Sequence, residues 1–321
     1  MKAPLDRRSF LRRSTAGASA LALAWQFEER QLLAQQTAPA APEVPALTPS
    51  PRSFPAGKIG KLNVSRLIGG GNLISGFAHS RDLIYVSPLL RQYFTDAKVH
   101  ETFALGEAQG MNTVLLRLDD HTLRILKSYW RERGRQLQWI AQVKLPEKDR
   151  FAEIQRAVDE GASAVFVHGG VGDGLVEAGD FDLLGRAITA IRRHGVPAGV
   201  AGHALAVPMA CEREGLDPDF YMKTFNSKQY WSAGPMPRFD SVWEETPQET
   251  MQFMAEVEKP WIAYKVLGAG AIHPEQGFRY AYENGADFIC AGMFDFQVEE
   301  DAEIARRALD RARNRTRPWC G

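Results

Sequence analysis

Imidazole and ammonium side chains lie at or just after the ends of three short apolar runs of this chain. They are Lys144 after Leu137–Val143, His168 at the end of Ala164–His168, and His203 shortly after Ala198–Ala201. If the runs are neighbouring parallel strands, their carboxyl ends meet at one end of the sheet and these side chains lie close together. Two imidazoles with a nearby carboxylate can bind a divalent metal ion. The sequence therefore predicts an acid–base site, with His168 and His203 as metal ligands.

The candidate catalytic residues have roles that their chemistry permits. A metal ion would polarise a substrate carbonyl and acidify the adjacent C–H bond, so proton abstraction is the expected reaction. We expect His168 to be a proton donor or a ligand, His203 a ligand or a base, and Lys144 a stabiliser of an enolate oxygen. Lys223 is expected as a base or an oxyanion partner. Asp120 is expected as a further ligand.

Two other interpretations use the same residues. The histidines could position a polar substrate by hydrogen bonding, without a metal. Lys144, Lys223 and Lys265 each lie near the end of an apolar run, and a lysine kept neutral by burial can form a Schiff base, as in an aldolase. These lysines could instead bind anionic or hydroxyl groups of the substrate.

The residues expected to bind substrate come from other run ends and from one long aperiodic segment. Asn72 follows the first apolar run, Arg117 follows the second, and Lys265 belongs to the seventh. Tyr230 and Trp231 lie in the aperiodic segment, whose length is typical of a lid. Their rings could stack on the face of a sugar or pack within the lid.

Apolar runs alternate with amphipathic segments along most of the chain. The eight runs are Arg66–Gly71, Asn112–Leu116, Leu137–Val143, Ala164–His168, Ala198–Ala201, Phe220–Phe225, Trp261–Leu267 and Phe288–Gly292. Helical spacing occurs in Phe151–Glu160, Phe181–Arg193, Glu249–Val257 and Glu275–Asn284. Several runs are apolar throughout, as strands buried on both faces are. Eight strand–helix units in about 250 residues predict an α/β fold, a single closed (β/α)8 TIM barrel.

Four segments of the chain resemble the aldo/keto reductase family. They are Gly60–Gly71, Gly110–Thr113, Asp219–Asn226 and Ala263–Gly270. The resemblance implies the same barrel over roughly residues 58–310 and carbonyl reduction with NADPH by a tetrad of Asp, Tyr, Lys and His. Lys144 and His168 match two members of the tetrad, whereas the positions of its Asp and Tyr fall near Leu115 and Asp120. The resemblance therefore implies an aldo/keto reductase-like barrel with a degenerate tetrad.

The resemblance also implies where the cofactor would lie. The family holds the nicotinamide with Ser-Asn after the fifth barrel strand, where this chain has Gly202-His203. Residues after its eighth strand bind the adenosine phosphate, and Met293–Val298 occupies that place here. The missing Tyr would be replaced by His121 or Asp120.

The start of the chain has the pattern of an export signal. Arg7 and Arg8 precede Phe10-Leu11 and a mild apolar stretch that is too short to span a bilayer. This pattern predicts twin-arginine export to the periplasm or outside the cell, with the Tat translocase as a transient partner and no stable membrane insertion after signal removal. The expected organisation is a signal region over 1–36, a Pro/Ala-rich linker over 37–56, a catalytic barrel over 57–312 and a C-terminal tail over 313–321.

Charge narrows the function classes further. The 321 residues have a formal net charge of zero, which does not favour a nucleic-acid partner.

The leading hypothesis is an exported barrel enzyme that acts on a small carbonyl or carbohydrate-derived substrate by lyase- or isomerase-type acid–base chemistry, with or without a divalent metal ion. The alternatives are a divergent NADP(H)-dependent reductase and a non-catalytic barrel that binds a ligand.

Overall fold

The computed structural model describes residues 52–77, 83–230 and 244–321. The predicted signal region, most of the predicted linker and Trp231 lie outside these residues. Within them, no helix is both long enough and apolar enough to cross a bilayer.

Eight parallel strands close into a barrel, and a two-stranded antiparallel hairpin precedes them. The hairpin strands are β1 (Ala56–Ile59) and β2 (Leu62–Ser65), and the barrel strands are β3 (Leu67–Gly70), β4 (Thr113–Arg117), β5 (Gln138–Val143), β6 (Ala164–Val167), β7 (Ala198–Gly202), β8 (Phe220–Thr224), β9 (Trp261–Tyr264) and β10 (Phe288–Ala291). Neighbours in the barrel follow chain order, and β10 closes it against β3. The predicted (β/α)8 barrel is confirmed.

Each barrel strand overlaps the apolar run that predicted it. The largest difference between a predicted run and its strand is at the seventh run, Trp261–Leu267, because β9 already ends at Tyr264. Lys265 has a φ of +57°, in the left-handed region that an extended strand cannot contain. The chain therefore turns away from the barrel wall at the carboxyl end of β9.

Helices cover the outside of the barrel. They are α1 (Val86–Tyr93), α2 (Asp96–Ala108), α3 (Asp120–Arg133), α4 (Ala152–Asp159), α5 (Gly169–Glu177), α6 (Phe181–Arg193), α7 (Ala206–Arg213), α8 (Pro247–Glu256), α9 (Pro274–Glu283) and α10 (Val298–Arg311). The four predicted helical patterns correspond to α4, α6, α8 and α9. A side-chain cap fixes the N-terminus of α3, where the Asp119 carboxylate accepts the N–H of Thr122 at 2.8 Å.

The hairpin closes the amino-terminal end of the barrel. Ile59 of β1 and Val64 of β2 are fully buried in the same core cluster as Phe220 and Phe288, the first residues of β8 and β10. Apolar side chains thus fill the barrel from this end, and the opposite end, where the strands finish, is left for polar groups.

The C-terminal residues 313–321, expected as a tail, pack against the barrel. Asp287, fully buried before β10, accepts hydrogen bonds from Arg315 and Arg317 at 2.8 Å each. The ring of Trp319 lies between two guanidinium groups, 4.1 Å from that of Arg66 and 3.5 Å from that of Arg315. Charge complementarity and cation–π contacts hold this segment in place, which composition did not indicate.

Candidate active site

The side chains of five predicted site residues gather where the barrel strands end. They are Arg117 at the end of β4, Lys144 after β5, His168 after β6, His203 after β7 and Lys265 after β9. Burial lowers the pKa of His168 to about 4, and the positive charges of the other four contribute to the same shift. His168 is therefore neutral near pH 7 and can accept a proton or a hydrogen bond.

Asp173 and His203 form a tight pair at this end of the barrel. Asp173 Oδ2 lies 2.6 Å from His203 Nδ1, and the same carboxylate accepts the backbone N–H of His203 at 2.9 Å and of Ala204 at 3.1 Å. An ionised carboxylate only accepts, so the contact assigns the proton of the neutral imidazole to Nδ1. Nε2 is then the basic nitrogen, as in the histidine of a catalytic triad.

Glycines at the start of α5 bring Asp173 within reach of His203. A side chain at Gly172 would collide with the carbonyl oxygen of Ala201, so only glycine lets α5 lie this close to β7. A Cβ at Gly169 would lie 2.8 Å from Tyr264 Oη and 3.0 Å from His203 Cε1. The His-Gly-Gly-Val-Gly-Asp segment thus positions the carboxylate through close backbone approach.

Lys223 lies beneath His203 in a fully buried position. Its ammonium donates to the carbonyl of His203 at 2.7 Å, to the carbonyl of Thr224 at 2.8 Å and to Glu244 Oε2 at 2.8 Å. An ammonium has three protons, and these three acceptors engage all of them. Lys223 therefore differs from the free base or Schiff-base nucleophile that the sequence suggested.

Tyr264 completes the described cluster. Its ring centroid lies 5.6 Å from that of His203, and its hydroxyl is buried without a hydrogen bond of normal geometry within the described residues. The hydroxyl of Thr224, its register partner on β8, is in the same condition. Burial raises the pKa of Tyr264, and the nearby Thr224 hydroxyl partly offsets the rise. Tyr264 is thus a neutral phenol that can donate a hydrogen bond.

The remaining cations have mixed surroundings. Arg117 forms an ion pair with Asp119 at 2.9 Å and stacks on Phe77 at 4.8 Å. Lys144 is exposed, and its backbone N–H donates to Glu153 Oε2 at 2.6 Å. The Lys265 carbonyl accepts from the buried side chain of Asn226 at 3.2 Å, which supports the left-handed backbone there.

Three other predicted residues differ in their placement. Asp120 is the first residue of α3; its side chain is 90% exposed and forms an ion pair with Arg156, so helix formation directs it away from the cluster. Asn72 is exposed in the turn after β3. Tyr230 is half-buried, and its ring faces Gly268 after β9 at 3.4 Å from an ideal Cβ.

The donor set does not fit a divalent metal ion. Within residues 52–77, 83–230 and 244–321, no three His, Cys, Asp or Glu side chains are arranged to hold one. Asp173, the carboxylate that contacts His203, is engaged by Nδ1 and by the backbone N–H groups of His203 and Ala204. The positive charges of Arg117, Lys144 and Lys265 also oppose the binding of a metal cation here.

Together, the fold and this cluster define a (β/α)8 barrel with a polar site at the carboxyl ends of its strands. No family model matches the sequence, and the curated proteins contain no match. Many solved structures share the fold. One is a presumed aldo-keto reductase from Pseudomonas aeruginosa, with a TM-score of 0.54, 18% identity and coverage of 79% of this chain and 94% of that one.

A second similar structure is a truncated 3-deoxy-D-arabino-heptulosonate 7-phosphate synthase from Thermotoga maritima. The TM-score is 0.50 at 11% identity, over 81% of this chain and 92% of that one. At such identities the likeness shows the barrel fold alone. The expected likeness to an aldo/keto reductase barrel is confirmed at the level of the fold.

The residues do not fit NADP(H) as the sequence resemblance placed it. Gly202 has no side chain, and the His203 imidazole and backbone N–H are both bound to Asp173. After β10, the first turn of α10 contains Glu299, Glu300 and Asp301, whose negative charges repel an adenosine phosphate. We derive no step through this cofactor.

Three residues of the cluster escaped sequence reasoning. Asp173 is the one carboxylate in the Gly-rich segment directly after His168, and that isolation was a usable signal. Tyr264 lies within the apolar run Trp261–Leu267, so its position did not distinguish it from a core residue. Glu244 lies in the aperiodic stretch before α8, where no local pattern marks it.

Proposed function

We propose that this chain is a barrel enzyme that moves a proton next to a carbonyl group of a small, carbohydrate-derived substrate, in a lyase- or isomerase-type reaction. The observation that carries the proposal is the 2.6 Å contact between Asp173 and His203 at the carboxyl end of the barrel, beside neutral His168. Export by the twin-arginine route remains part of the proposal and rests on the N-terminal pattern alone.

The proposed step uses the chain's own groups. His203 Nε2 accepts the proton from the carbon next to the carbonyl, and ionised Asp173 stabilises the imidazolium that forms. The electron pair moves into the carbonyl to give an enolate, whose oxygen is stabilised by Lys144, Lys265 or Arg117. In an isomerase, His203 returns the proton to the former carbonyl carbon while the proton of the adjacent hydroxyl passes to the former carbonyl oxygen, so that the carbonyl group moves by one carbon. In a lyase, the enolate re-forms the carbonyl as the carbon–oxygen bond to the leaving group breaks, and His203 gives its proton to that oxygen.

The donor-rich surroundings support a polyhydroxylated substrate. Neutral His168 can accept from a hydroxyl, and the guanidinium and ammonium groups donate to hydroxyl or carbonyl oxygens. Tyr230 remains a proposed contact for the apolar face of a sugar, and Trp231 a proposed contact outside the described residues. The proposed step uses no divalent metal ion, because the donor set of the described residues does not fit one, and elemental analysis of the purified protein tests this.

The test is hydrogen exchange into substrates from heavy water. A panel of small aldoses, ketoses and sugar acids is incubated with the protein in D2O, and NMR measures deuterium at the carbon next to the carbonyl. We expect one class to exchange, and Asp173→Asn to lower that rate by about 10²–10⁴-fold, because His203 loses its orienting anion. Asp182→Asn, an exposed carboxylate paired with Arg186, is the matched control and should leave the rate unchanged.

Exchange that persists at full rate in Asp173→Asn would exclude His203 as the base. Consumption or tight binding of NADPH, with no exchange in any substrate, would favour the divergent reductase instead. A barrel that binds a substrate of the panel without exchange or NADPH consumption would be the non-catalytic alternative.

A further inference from the structure

Lys223 connects three separate parts of the chain at the candidate site. The ammonium contacts the loop after β7 through the His203 carbonyl, β8 through the Thr224 carbonyl, and the segment before α8 through Glu244. Both partners of the ion pair are buried, with side-chain exposures of 0% for Lys223 and 2% for Glu244. Solvent therefore competes little for the ion pair between Lys223 and Glu244.

Glu244 is itself fixed by the start of α8. Its second oxygen, Oε1, accepts the N–H of Thr246 at 3.1 Å and the hydroxyl of Thr250 at 3.2 Å. Thr250 is fully buried in α8. The carboxylate thus joins the N-terminal turn of a packed helix to the ammonium of Lys223.

His203 is held from two sides as a result. Asp173 binds its imidazole and its N–H, and Lys223 binds its carbonyl oxygen. The peptide after His203 is bound at both of its polar atoms, because Asp173 accepts its N–H, from Ala204, at 3.1 Å and Lys223 donates to its carbonyl oxygen at 2.7 Å. The fixed carbonyl thus helps to determine the backbone from which the imidazole projects. Catalysis by a positioned base is sensitive to displacements of about 1 Å.

We propose that Lys223 and Glu244 are positioning residues that hold the His203 backbone in the orientation in which Asp173 can bind its imidazole. The proposal rests on the proposed function for its catalytic consequence, but the orientation itself can be measured without a substrate. It replaces the role of base or oxyanion partner that the sequence suggested for Lys223. Burial lowers the pKa of Lys223, and the Glu244 charge opposes this and favours the ammonium form.

The test follows the proton between Asp173 and His203 by NMR. A short hydrogen bond from Nδ1 to a carboxylate gives a proton resonance far downfield, which His203→Gln identifies by its absence. In the double variant Lys223→Met, Glu244→Gln, which removes both buried charges together, we expect this resonance to weaken or move upfield. The rate of deuterium exchange should fall by about 10²-fold, with little change in KM.

The matched control is Lys259→Met, Glu212→Gln, a lysine–glutamate pair of 2.9 Å that lies before β9 at the other end of the barrel. It should leave the resonance unchanged. If the first double variant does not fold, Glu244→Gln alone should change the resonance in the same direction. An unchanged resonance in the folded variants would overturn the proposal. If the resonance responds but Asp173→Asn exchanges deuterium normally, the positioning stands and the proposed function fails.

Discussion

At the scale of a single residue, the buried hydroxyl of Tyr264 lowers the stability of the folded protein. A buried hydroxyl without a partner loses its hydration and gains nothing in return, at a cost of about 1–3 kcal/mol. We therefore expect Tyr264→Phe to raise the free energy of unfolding by about 1 kcal/mol, measured by urea denaturation. The control is Tyr282→Phe, because the Tyr282 hydroxyl is buried and donates to the Arg66 carbonyl at 3.0 Å. That variant should lose stability, and equal losses in both would contradict the interpretation.

Such a cost is consistent with a group reserved for a ligand. Tyr264 lies beside His203, and a substrate oxygen would supply the well-formed hydrogen bond that its hydroxyl does not make within residues 52–77, 83–230 and 244–321. If so, Tyr264→Phe combines higher stability with slower deuterium exchange, the trade-off expected of a functional residue.

His168 makes stability depend on pH in a defined window. Its pKa is about 4 in the folded protein, because of burial first and then the positive charges of His203, Lys144, Arg117 and Lys265. An unfolded histidine has a pKa of about 6.5. Between about pH 6.5 and pH 4, His168 is therefore protonated in the unfolded state but neutral in the folded state. The stability contributed by neutral His168 is thus complete above pH 6.5 and is lost as the pH falls towards 4.

His168→Gln should remove this dependence. We expect the difference in unfolding free energy between wild type and variant to change between pH 7 and pH 5 in favour of the variant. Urea denaturation at the two values measures it, and the other titrating groups cancel in the difference. A difference that does not change with pH would show that His168 titrates normally.

At the scale of elements, the C-terminal segment closes the fold. Asp287 is the single carboxylate between Arg315 and Arg317, and its Oδ2 also accepts the N–H of Trp261 at 3.1 Å. Asp287→Asn leaves two buried guanidinium groups without their anion, so we expect a loss of about 3–5 kcal/mol in urea denaturation. The exposed pair of Asp310 and Arg313 is the control, and Asp310→Asn should cost under about 1 kcal/mol. Similar losses would mean that the segment does not depend on Asp287.

The glycines of helix α5 affect the site through the way this helix packs on the barrel. Its glycines remove side chains that would separate it from β7, and Asp173 then reaches the loop that follows this strand. The same glycines lower helix propensity by about 1 kcal/mol each. Packing against the barrel compensates for this, since the buried surface of a helix usually outweighs its propensity.

At the scale of the whole molecule, the barrel gathers residues that are far apart in the chain. Parallel strands all finish at the same end, so Arg117 and Lys265 reach one cluster although a large part of the chain separates them. The hairpin and the C-terminal segment close the opposite end. This separation of a stabilising end from a polar end is general for the fold.

The sequence by itself determined the barrel and part of its site. Runs buried on both faces and helical spacing report on local burial, which is why the eight strands and the four helices were predictable. The positions of Lys144, His168 and His203 at the carboxyl end of the barrel were predictable, because each lies at or just after the end of an apolar run. Glycine is also found where two of these helices end, because Gly161 and Gly285 follow α4 and α9 with φ of +96° and +104°.

Only the tertiary structure decided which side chains are partners. The pair of Asp173 and His203 joins residues 30 apart, the ion pair of Lys223 and Glu244 joins residues 21 apart, and Arg317 reaches Asp287 from 30 residues away. Asp120, by contrast, turned out to be a surface ion-pair residue. Periodicity encodes how a segment packs on its neighbours, whereas a hydrogen bond between distant segments depends on the helix–strand approach and loop paths that only the closed barrel fixes.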